Sequence, residues 1–169
     1  MTEQLSYRVV AKLPHAEIRR YPPHLLISTF ESGRMPESGN QAFRRLANYI
    51  FGGNQQSKSI AMTAPVLQQP NHHGYETSFV MPASMTLEDM PGTSDSSLRI
   101  QQATGGLYAA ITFSGLASGE LFEKKTKELK EIIKAADYRE SGAAVFARYN
   151  GPWTPFFLRR NEVLIPLEE

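Results

Sequence analysis

Apolar and polar residues alternate near the start of the chain, and this period of two predicts β-strands. The alternation covers residues 9–20 and predicts one strand there. Residues 25–30 form a short run rich in branched and aromatic side chains, which predicts a second strand. Pro22 and Pro23 cannot donate the amide hydrogen bonds of a sheet, so we place them in the connection between the two strands.

After the second strand the apolar period lengthens to that of an α-helix. Ser38 is a suitable N-cap residue, and Gln41 follows it by three positions, as in a capping box. Gly52 and Gly53 supply the left-handed conformation that commonly ends a helix. The residues predicted to face the core recur at helical spacing; they are Phe43, Leu46, Ala47 and Ile50.

Two strands are predicted after this helix, over residues 60–67 and 75–82. The polar segment 68–74 between them contains proline, asparagine and glycine, and it suits a hairpin turn. Residues 83–96 form a loop in this prediction. We do not interpret the loop as a domain linker, because the short strands that follow it cannot form a core alone.

The rest of the chain repeats the same order of elements. Strands are predicted over 98–101 and 107–113, a helix from about Ser118, and two final strands over 143–149 and 156–167. The buried stripe of the second helix consists of Leu121, Phe122, Leu129, Ile132, Ile133 and Ala136.

This order predicts two similar halves, residues 7–82 and 97–167, within one domain spanning residues 1–169. Each half has the order strand, strand, helix, strand, strand, without evident sequence identity between the halves. Each half also has a sheet that needs a second layer, and pairing the halves buries both. We therefore expect an α+β fold with a pseudo-two-fold axis and a groove between the halves.

Composition narrows the function classes. The chain has no cysteine, which excludes disulfides, thiolate catalysis and iron–sulfur ligation. Its formal net charge of +1 gives no general attraction to nucleic acid or to membranes. No apolar run approaches the roughly 20 residues of a membrane span. With no secretory signal in the sequence, we expect a cytoplasmic protein.

A second stripe on the first helix is the main candidate site. Gln41, Arg44, Arg45 and Asn48 recur at helical spacing opposite the apolar face, and Phe51 extends the row. The simpler interpretation is a solvated outer face. Alternatively, an arginine here pairs with an anionic group while Asn48 and Phe51 flank a flat apolar body, since guanidinium matches a carboxylate bidentately.

An aromatic segment near the C-terminus is the second candidate. Trp153, Phe156 and Phe157 alternate with Pro152 and Pro155. Rings of this size stack on planar ligands. They could equally close the core where a loop enters a strand. A little further on, Arg160 and Glu162 should share one face of a strand, and an internal ion pair is the simpler explanation for them.

Candidate metal ligands are weak. Met62 and Met81 lie in predicted strands, where methionine is usually core filler although it can ligate haem iron. His72 and His73 sit in a polar loop without a third ligand at fixed spacing. The metal ligand, if any, is left open.

Five blocks in order resemble the SOUL family of haem-binding proteins, and the resemblance covers nearly the whole chain. These blocks are EIRRY at residues 17–21, YIFGGN at 49–54, IAMTAPV at 60–66, SFVMP at 78–82 and RRNEV at 159–163. The resemblance implies a distorted antiparallel β-barrel flanked by two helices. It also implies binding of haem or another tetrapyrrole on the first helix, with the aromatic segment opposite.

The expected function is therefore a carrier, buffer or sensor of haem, acting as a monomer or weak homo-oligomer without nucleic acid. Two other functions stay open. One is an enzyme that releases iron from tetrapyrroles or modifies the ring, for which Tyr49 is the nearest candidate proton donor. The other is a module that binds a different small hydrophobic effector.

Overall fold

The fold consists of mainly antiparallel strands and two α-helices, each helix packed against one sheet. In this computed structural model, which describes residues 2–116, 118–151 and 153–169, the chain divides into two compact units. Unit 1 comprises Met1–Leu5 and Pro23–Thr104, and unit 2 comprises Ser6–Pro22 and Gly105–Glu169. The α+β class is confirmed.

Unit 1 contains a four-stranded antiparallel sheet in the order β6-β7-β4-β8, covered by helix α1. A short parallel pair, β1 with β5, is separate from this sheet. The elements are β1 (Glu3–Gln4), β4 (His24–Ser32), α1 (Met35–Ile50), β5 (Thr63–Ala64), β6 (Val66–Asn71), β7 (Gly74–Val80) and β8 (Arg99–Ala103).

The core of unit 1 forms where the apolar face of α1 meets the sheet. Ile27 from β4 and Phe79 from β7 pack against Leu46, Tyr49 and Ile50 of α1, all of them almost fully buried. Burying side chains of this size removes apolar surface from water, which is the main stabilising term in folding. The opposite side of α1 is thereby left facing outward.

Unit 2 contains a five-stranded antiparallel sheet in the order β2-β3-β9-β11-β10. Helix α2 packs on β9 and β11, where the Phe122 ring stacks on Phe146 and meets Phe113 edge-on. The elements are β2 (Arg8–Leu13), β3 (Ala16–Tyr21), β9 (Gly106–Phe113), α2 (Gly119–Ala135), β10 (Val145–Arg148) and β11 (Asn161–Pro166).

The structure confirms the predicted start and buried face of the second helix. The Ser118 hydroxyl accepts a hydrogen bond from the Leu121 amide at 3.2 Å, as an N-cap residue does. Phe122, Leu129 and Ile133 of the predicted stripe are fully buried. The two helices, at 16 and 17 residues, are too short and too polar to cross a bilayer.

The start of the first helix was predicted wrongly. Helix α1 begins at Met35, one turn before Ser38, with Arg34 as an N-cap residue whose side chain makes no capping bond. The Ser38 hydroxyl instead donates backward to the Arg34 carbonyl at 2.8 Å. Serine can satisfy carbonyls inside a helix as well as amides at its start, so the same residue fits both positions.

Three other predictions differ from the structure. The predicted strand over 9–20 is two strands, because His15 adopts a left-handed φ of 66° and reverses the chain. Phe156–Leu158 forms a 3₁₀ turn and is not part of the last strand. The sheet of each unit is open, so the barrel is not confirmed. The single domain stays a prediction; residues 6–22 belong to unit 2, whereas the predicted first half was 7–82.

A buried ion pair lies on the face of the unit 2 sheet opposite α2. Both Glu162 carboxylate oxygens accept hydrogen bonds from the Arg19 guanidinium, each at 2.8 Å. Glu162 is fully buried, and Arg19 is 2% exposed. The Thr112 hydroxyl donates to the same carboxylate at 2.8 Å. The pair therefore links β3, β9 and β11 through one group.

Aromatic side chains surround this pair. The Arg19 guanidinium lies 4.0 Å from the Tyr7 ring centroid and donates to the Tyr21 hydroxyl at 2.9 Å. Arg160 also pairs with Glu162, at 3.1 Å, which confirms that these two share a face. Burial raises the pKa of Glu162, but the hydrogen bonds and charge of Arg19 more than offset this and hold that pKa below its usual range.

Replacing Glu162 tests how much unit 2 depends on this pair. Glu162→Gln removes the carboxylate that Arg19 binds through two hydrogen bonds and leaves the buried guanidinium with the partly exposed Glu17, 3.0 Å from its Nε, as a counter-ion. We therefore expect a loss at the lower end of the range for a broken buried pair, about 3 kcal/mol in unfolding free energy at neutral pH. Urea denaturation measures it, with exposed Glu168→Gln as the control, expected within about 0.5 kcal/mol of wild type. A double variant, Arg19→Met with Glu162→Gln, should lose less than the sum of the single changes; additive losses would contradict the coupling.

Acid should remove this contribution. Because the folded-state pKa of Glu162 is lowered, the carboxylate stabilises the fold above its unfolded pKa of about 4.3, and this stability is lost as pH falls through the folded-state value. The gap in unfolding free energy between wild type and Glu162→Gln should therefore narrow below about pH 4. A gap that stays constant from neutral pH into the acid range would show that Glu162 is not ionised in the folded state.

Candidate ligand-binding surfaces

The outer face of α1 in unit 1 carries the first predicted group. Gln41, Arg44 and Asn48 are exposed along the helix, and Phe51, directly after it, is 68% exposed. They are exposed because the other side of α1 is committed to the sheet. The stripe therefore combines amides, a guanidinium and an aromatic ring on one solvent-facing surface.

Arg45 differs from the rest of the stripe because it is held within unit 1. Its Nε lies 3.0 Å from a Glu31 carboxylate oxygen, and Nη1 donates to the Ser97 hydroxyl at 2.6 Å. Asp95 lies 3.5 Å from the same guanidinium. Hydrogen bonds from Ser97, with a smaller contribution from Arg45, lower the pKa of Asp95. A ligand carboxylate would have to compete with two protein carboxylates for Arg45.

Arg44 has no such partner. Across residues 2–116, 118–151 and 153–169 its guanidinium makes neither an ion pair nor a hydrogen bond, and it is exposed. Adjacent helical residues point about 100° apart. The rotation carries Arg45 toward Glu31 and leaves Arg44 in solvent, so Arg44 is the arginine of this stripe that is available to an anion.

Two glycines shape the end of this stripe. Gly52 adopts a left-handed φ of 107°, as predicted, and the Gly53 amide donates to the Asn48 carbonyl at 2.8 Å. A Cβ atom on Gly53 would collide with the Asn48 side chain. The chain therefore turns away closely beside Asn48, and the Phe51 ring stays exposed.

The predicted aromatic segment lies in unit 2, between β10 and β11. Trp153 is 84% exposed, and Phe156 and Phe157 are more than half exposed. The two Phe rings meet edge to face, with centroids 5.6 Å apart. These rings do not close the core, so the structural alternative weighed from the sequence is wrong. Pro152 lies outside the described residues.

Hydrogen bonds to backbone carbonyls hold this segment while its rings face solvent. The Gly115 amide donates to the Phe156 carbonyl at 2.9 Å, and Arg159 Nε donates to the Thr154 carbonyl at 2.8 Å. The Thr154 amide in turn donates to the Gly151 carbonyl. Among the residues predicted for the site, the helical stripe belongs to unit 1 and the rings belong to unit 2.

The other candidates fit structural roles. Met81 is buried in the unit 1 core, and His72 and His73 lie exposed in the β6–β7 turn. Within the described residues, no three His, Asp or Glu side chains cluster as metal ligands would. The Tyr49 hydroxyl is buried and donates to the Pro91 carbonyl at 2.7 Å, and burial raises its pKa to about 12. Tyr49 is therefore unsuited to donate protons to a ligand on the stripe.

Comparison with known proteins identifies the family. The profile of the SOUL heme-binding protein family matches residues 2–166. The chain belongs to this family. Among curated proteins, heme-binding protein 1 of Xenopus laevis is 26% identical to this SOUL chain over 156 residues, which cover 87% of the chain and 80% of that protein.

Solved structures share the fold at low sequence identity. The EcmrR C-terminal domain has a TM-score of 0.70 at 11% identity, and the match covers 96% of this chain and 98% of that one. A hydrolase from Listeria innocua has a TM-score of 0.63 at 9% identity, with 94% of each chain covered. At such identities the likeness shows the fold of this SOUL chain and nothing of its activity.

Two neighbouring arginines of the stripe should respond differently to truncation. Arg45→Ala removes the contacts to Glu31 and Asp95, and because the side chain is 45% exposed we expect a loss of only about 0.5–1 kcal/mol in unfolding free energy. Arg44→Ala should stay within about 0.5 kcal/mol of wild type. Urea denaturation at low and high salt measures the unfolding free energy of both variants. An equal loss for the two would contradict the assignment of Arg45 as the paired arginine and Arg44 as the unpaired one.

Proposed function

We propose that this protein binds haem or a related tetrapyrrole as a carrier, buffer or sensor, and that the exposed stripe of α1 supplies the principal surface. Membership of the SOUL family supports the ligand class. The observation that carries the assignment to the stripe is the exposed, unpaired guanidinium of Arg44 on the same face as the exposed Phe51 ring. A propionate-bearing macrocycle needs both kinds of group.

Arg44 is the residue proposed to pair with a propionate. Its planar guanidinium presents two parallel N–H groups to a carboxylate, and such pairs are among the stronger hydrogen bonds in proteins. Arg45 was predicted for the same role, but its guanidinium is already paired with the Glu31 carboxylate. Gln41 and Asn48 flank Arg44 on the helix and offer amide hydrogen bonds to the second propionate.

Apolar contact supplies most of the affinity in this proposal. A macrocycle that buries several hundred square ångströms gains about 25 cal/mol per Å², enough for roughly micromolar affinity after association costs. Phe51 contributes from unit 1. Trp153, Phe156 and Phe157 of unit 2 are exposed and able to stack on a planar ring. No axial iron ligand is assigned.

Titration with haemin tests the proposal. We expect a saturable shift of the Soret band at low micromolar protein, together with quenching of Trp153, which is the only tryptophan of the chain. A Soret band that does not shift saturably in this range would overturn haem binding. A thermal-shift measurement is the companion readout, because a ligand of the native state raises stability by mass action.

Substituting the two arginines separates the propionate contact from general binding. Arg44→Ala should weaken protoporphyrin binding roughly tenfold, the loss of one charge-assisted contact, and should leave the dimethyl ester of that porphyrin almost unaffected. Arg45→Ala is the matched control, with a smaller effect on either ligand. Equal weakening of acid and ester by Arg44→Ala would remove Arg44 from this role.

A further inference from the structure

The sulfur atoms of the described residues all lie in unit 1. The chain has six methionines and no cysteine, and the five methionines that the structure describes belong to this unit. Without a thiol, the thioethers are the side chains that peroxides oxidise most readily. Met35 and Met81 are almost fully buried, at 2% and 3% exposed. The other three, Met62, Met85 and Met90, are partly exposed, so burial divides the thioethers into a protected and a reactive group.

Two of the reactive methionines belong to one loop segment, residues 83–96, which we call the strap. Met85 and Met90 flank a 3₁₀ turn at Leu87–Asp89, and both side chains pack against the core of unit 1. The strap lies beside the C-terminal turns of α1, where the Tyr49 hydroxyl donates to the Pro91 carbonyl at 2.7 Å. Met85 and Met90 thus supply apolar contact between strap and core while each side chain stays partly open to solvent.

Further polar contacts that attach the strap lie near the surface of unit 1. The Gln55 amide donates to the Gly92 carbonyl at 2.9 Å, and the Asp95 carboxylate lies 3.5 Å from the guanidinium of Arg45 on the outer face of α1. Exposed ion pairs of this kind stabilise a fold only slightly, whereas burying apolar side chains stabilises it more. The closed position of the strap therefore depends in good part on its two methionines.

We propose that Met85 and Met90 form an oxidation-sensitive latch, and that their conversion to sulfoxides by hydrogen peroxide opens the strap. The thioether sulfur attacks one peroxide oxygen, the O–O bond breaks, an S=O bond forms and water is released. The sulfur loses two electrons and the peroxide gains them. Methionine sulfoxide is reducible by enzymes, which makes the latch reversible.

A sulfoxide cannot keep the contact that the thioether makes. Its oxygen is a hydrogen-bond acceptor, and moving such a group from water into an apolar core without a donor costs free energy. The strap avoids this cost by lifting from the core. Tyr49 then loses its hydrogen bond to Pro91, and Arg45 loses Asp95, so oxidation alters both the buried and the outer face of α1.

Peptide mapping by mass spectrometry tests the reactivity of each methionine in the full chain treated with hydrogen peroxide. We expect Met85 and Met90 to form sulfoxides at least about tenfold faster than Met35 and Met81, because oxidation follows exposure. The two buried methionines are thus controls within the same molecule. Equal rates at buried and partly exposed positions would overturn the proposal.

Hydrogen exchange tests the opening itself. After oxidation at Met85 and Met90, the amides of the strap should exchange about tenfold faster, whereas those of α2 in unit 2, which contains no sulfur, should not change. The matched control is the double variant Met85→Leu with Met90→Leu. Leucine keeps the apolar volume, lacks sulfur and leaves Met62 oxidisable, so the strap of this variant should stay protected in peroxide.

Unchanged exchange in the strap of the oxidised wild type would overturn the latch, and so would an equal rise in the treated leucine variant. Faster exchange in α2 as well as in the strap would mean global unfolding and would also contradict a local opening. These measurements contain no haem, and neither Met85 nor Met90 belongs to the proposed haem surface. Failure here therefore leaves haem binding untouched, and a failed haemin titration leaves the latch untouched.

Discussion

The buried pair of Arg19 and Glu162 is the interaction on which unit 2 depends most. A carboxylate with no exposed surface is tolerable only when its charge and its lone pairs are satisfied, and here two arginines and the Thr112 hydroxyl satisfy them. The partners are 143 residues apart. This contact therefore holds the N-terminal hairpin in the C-terminal sheet. An apolar residue at only one of the two positions would leave the other charge buried without this partner.

This cluster also joins the two ends of the loop that carries the aromatic segment. Arg160, which follows that segment, pairs with Glu162 and lies 3.9 Å from the ring centroid of Tyr149, which precedes it. The Tyr149 amide donates to the Arg160 carbonyl at 3.1 Å. The two ends of the loop are thus joined by charge, ring and backbone contacts. Because both ends of the loop are fixed, its apolar rings can be exposed to solvent while strands β10 and β11 stay in register.

The parts of the fold that depend on local signals could be predicted from the sequence. Helix α2 begins at its predicted cap because a serine hydroxyl and the next apolar stripe agree on the position. The start of α1 could not be predicted, because Ser38 bonds backward to carbonyls that belong to an earlier turn. The same limit applies to the site: the period of the helix identified both Arg44 and Arg45. The two arginines are distinguished only in the folded structure, where Glu31 and Asp95, which are far apart in the sequence, both lie beside Arg45.

The exposed surface of α1 combines two kinds of group that a protein rarely leaves in solvent together. Arg44 makes no ion pair within the described residues, and it lies on the same face as the exposed Phe51 ring. A cation beside an aromatic ring suits a molecule with a flat apolar body and an anionic group at its edge, and haem fits that description. The same helix provides this surface because its other side is committed to the core of unit 1, where Leu46, Tyr49 and Ile50 pack against the sheet.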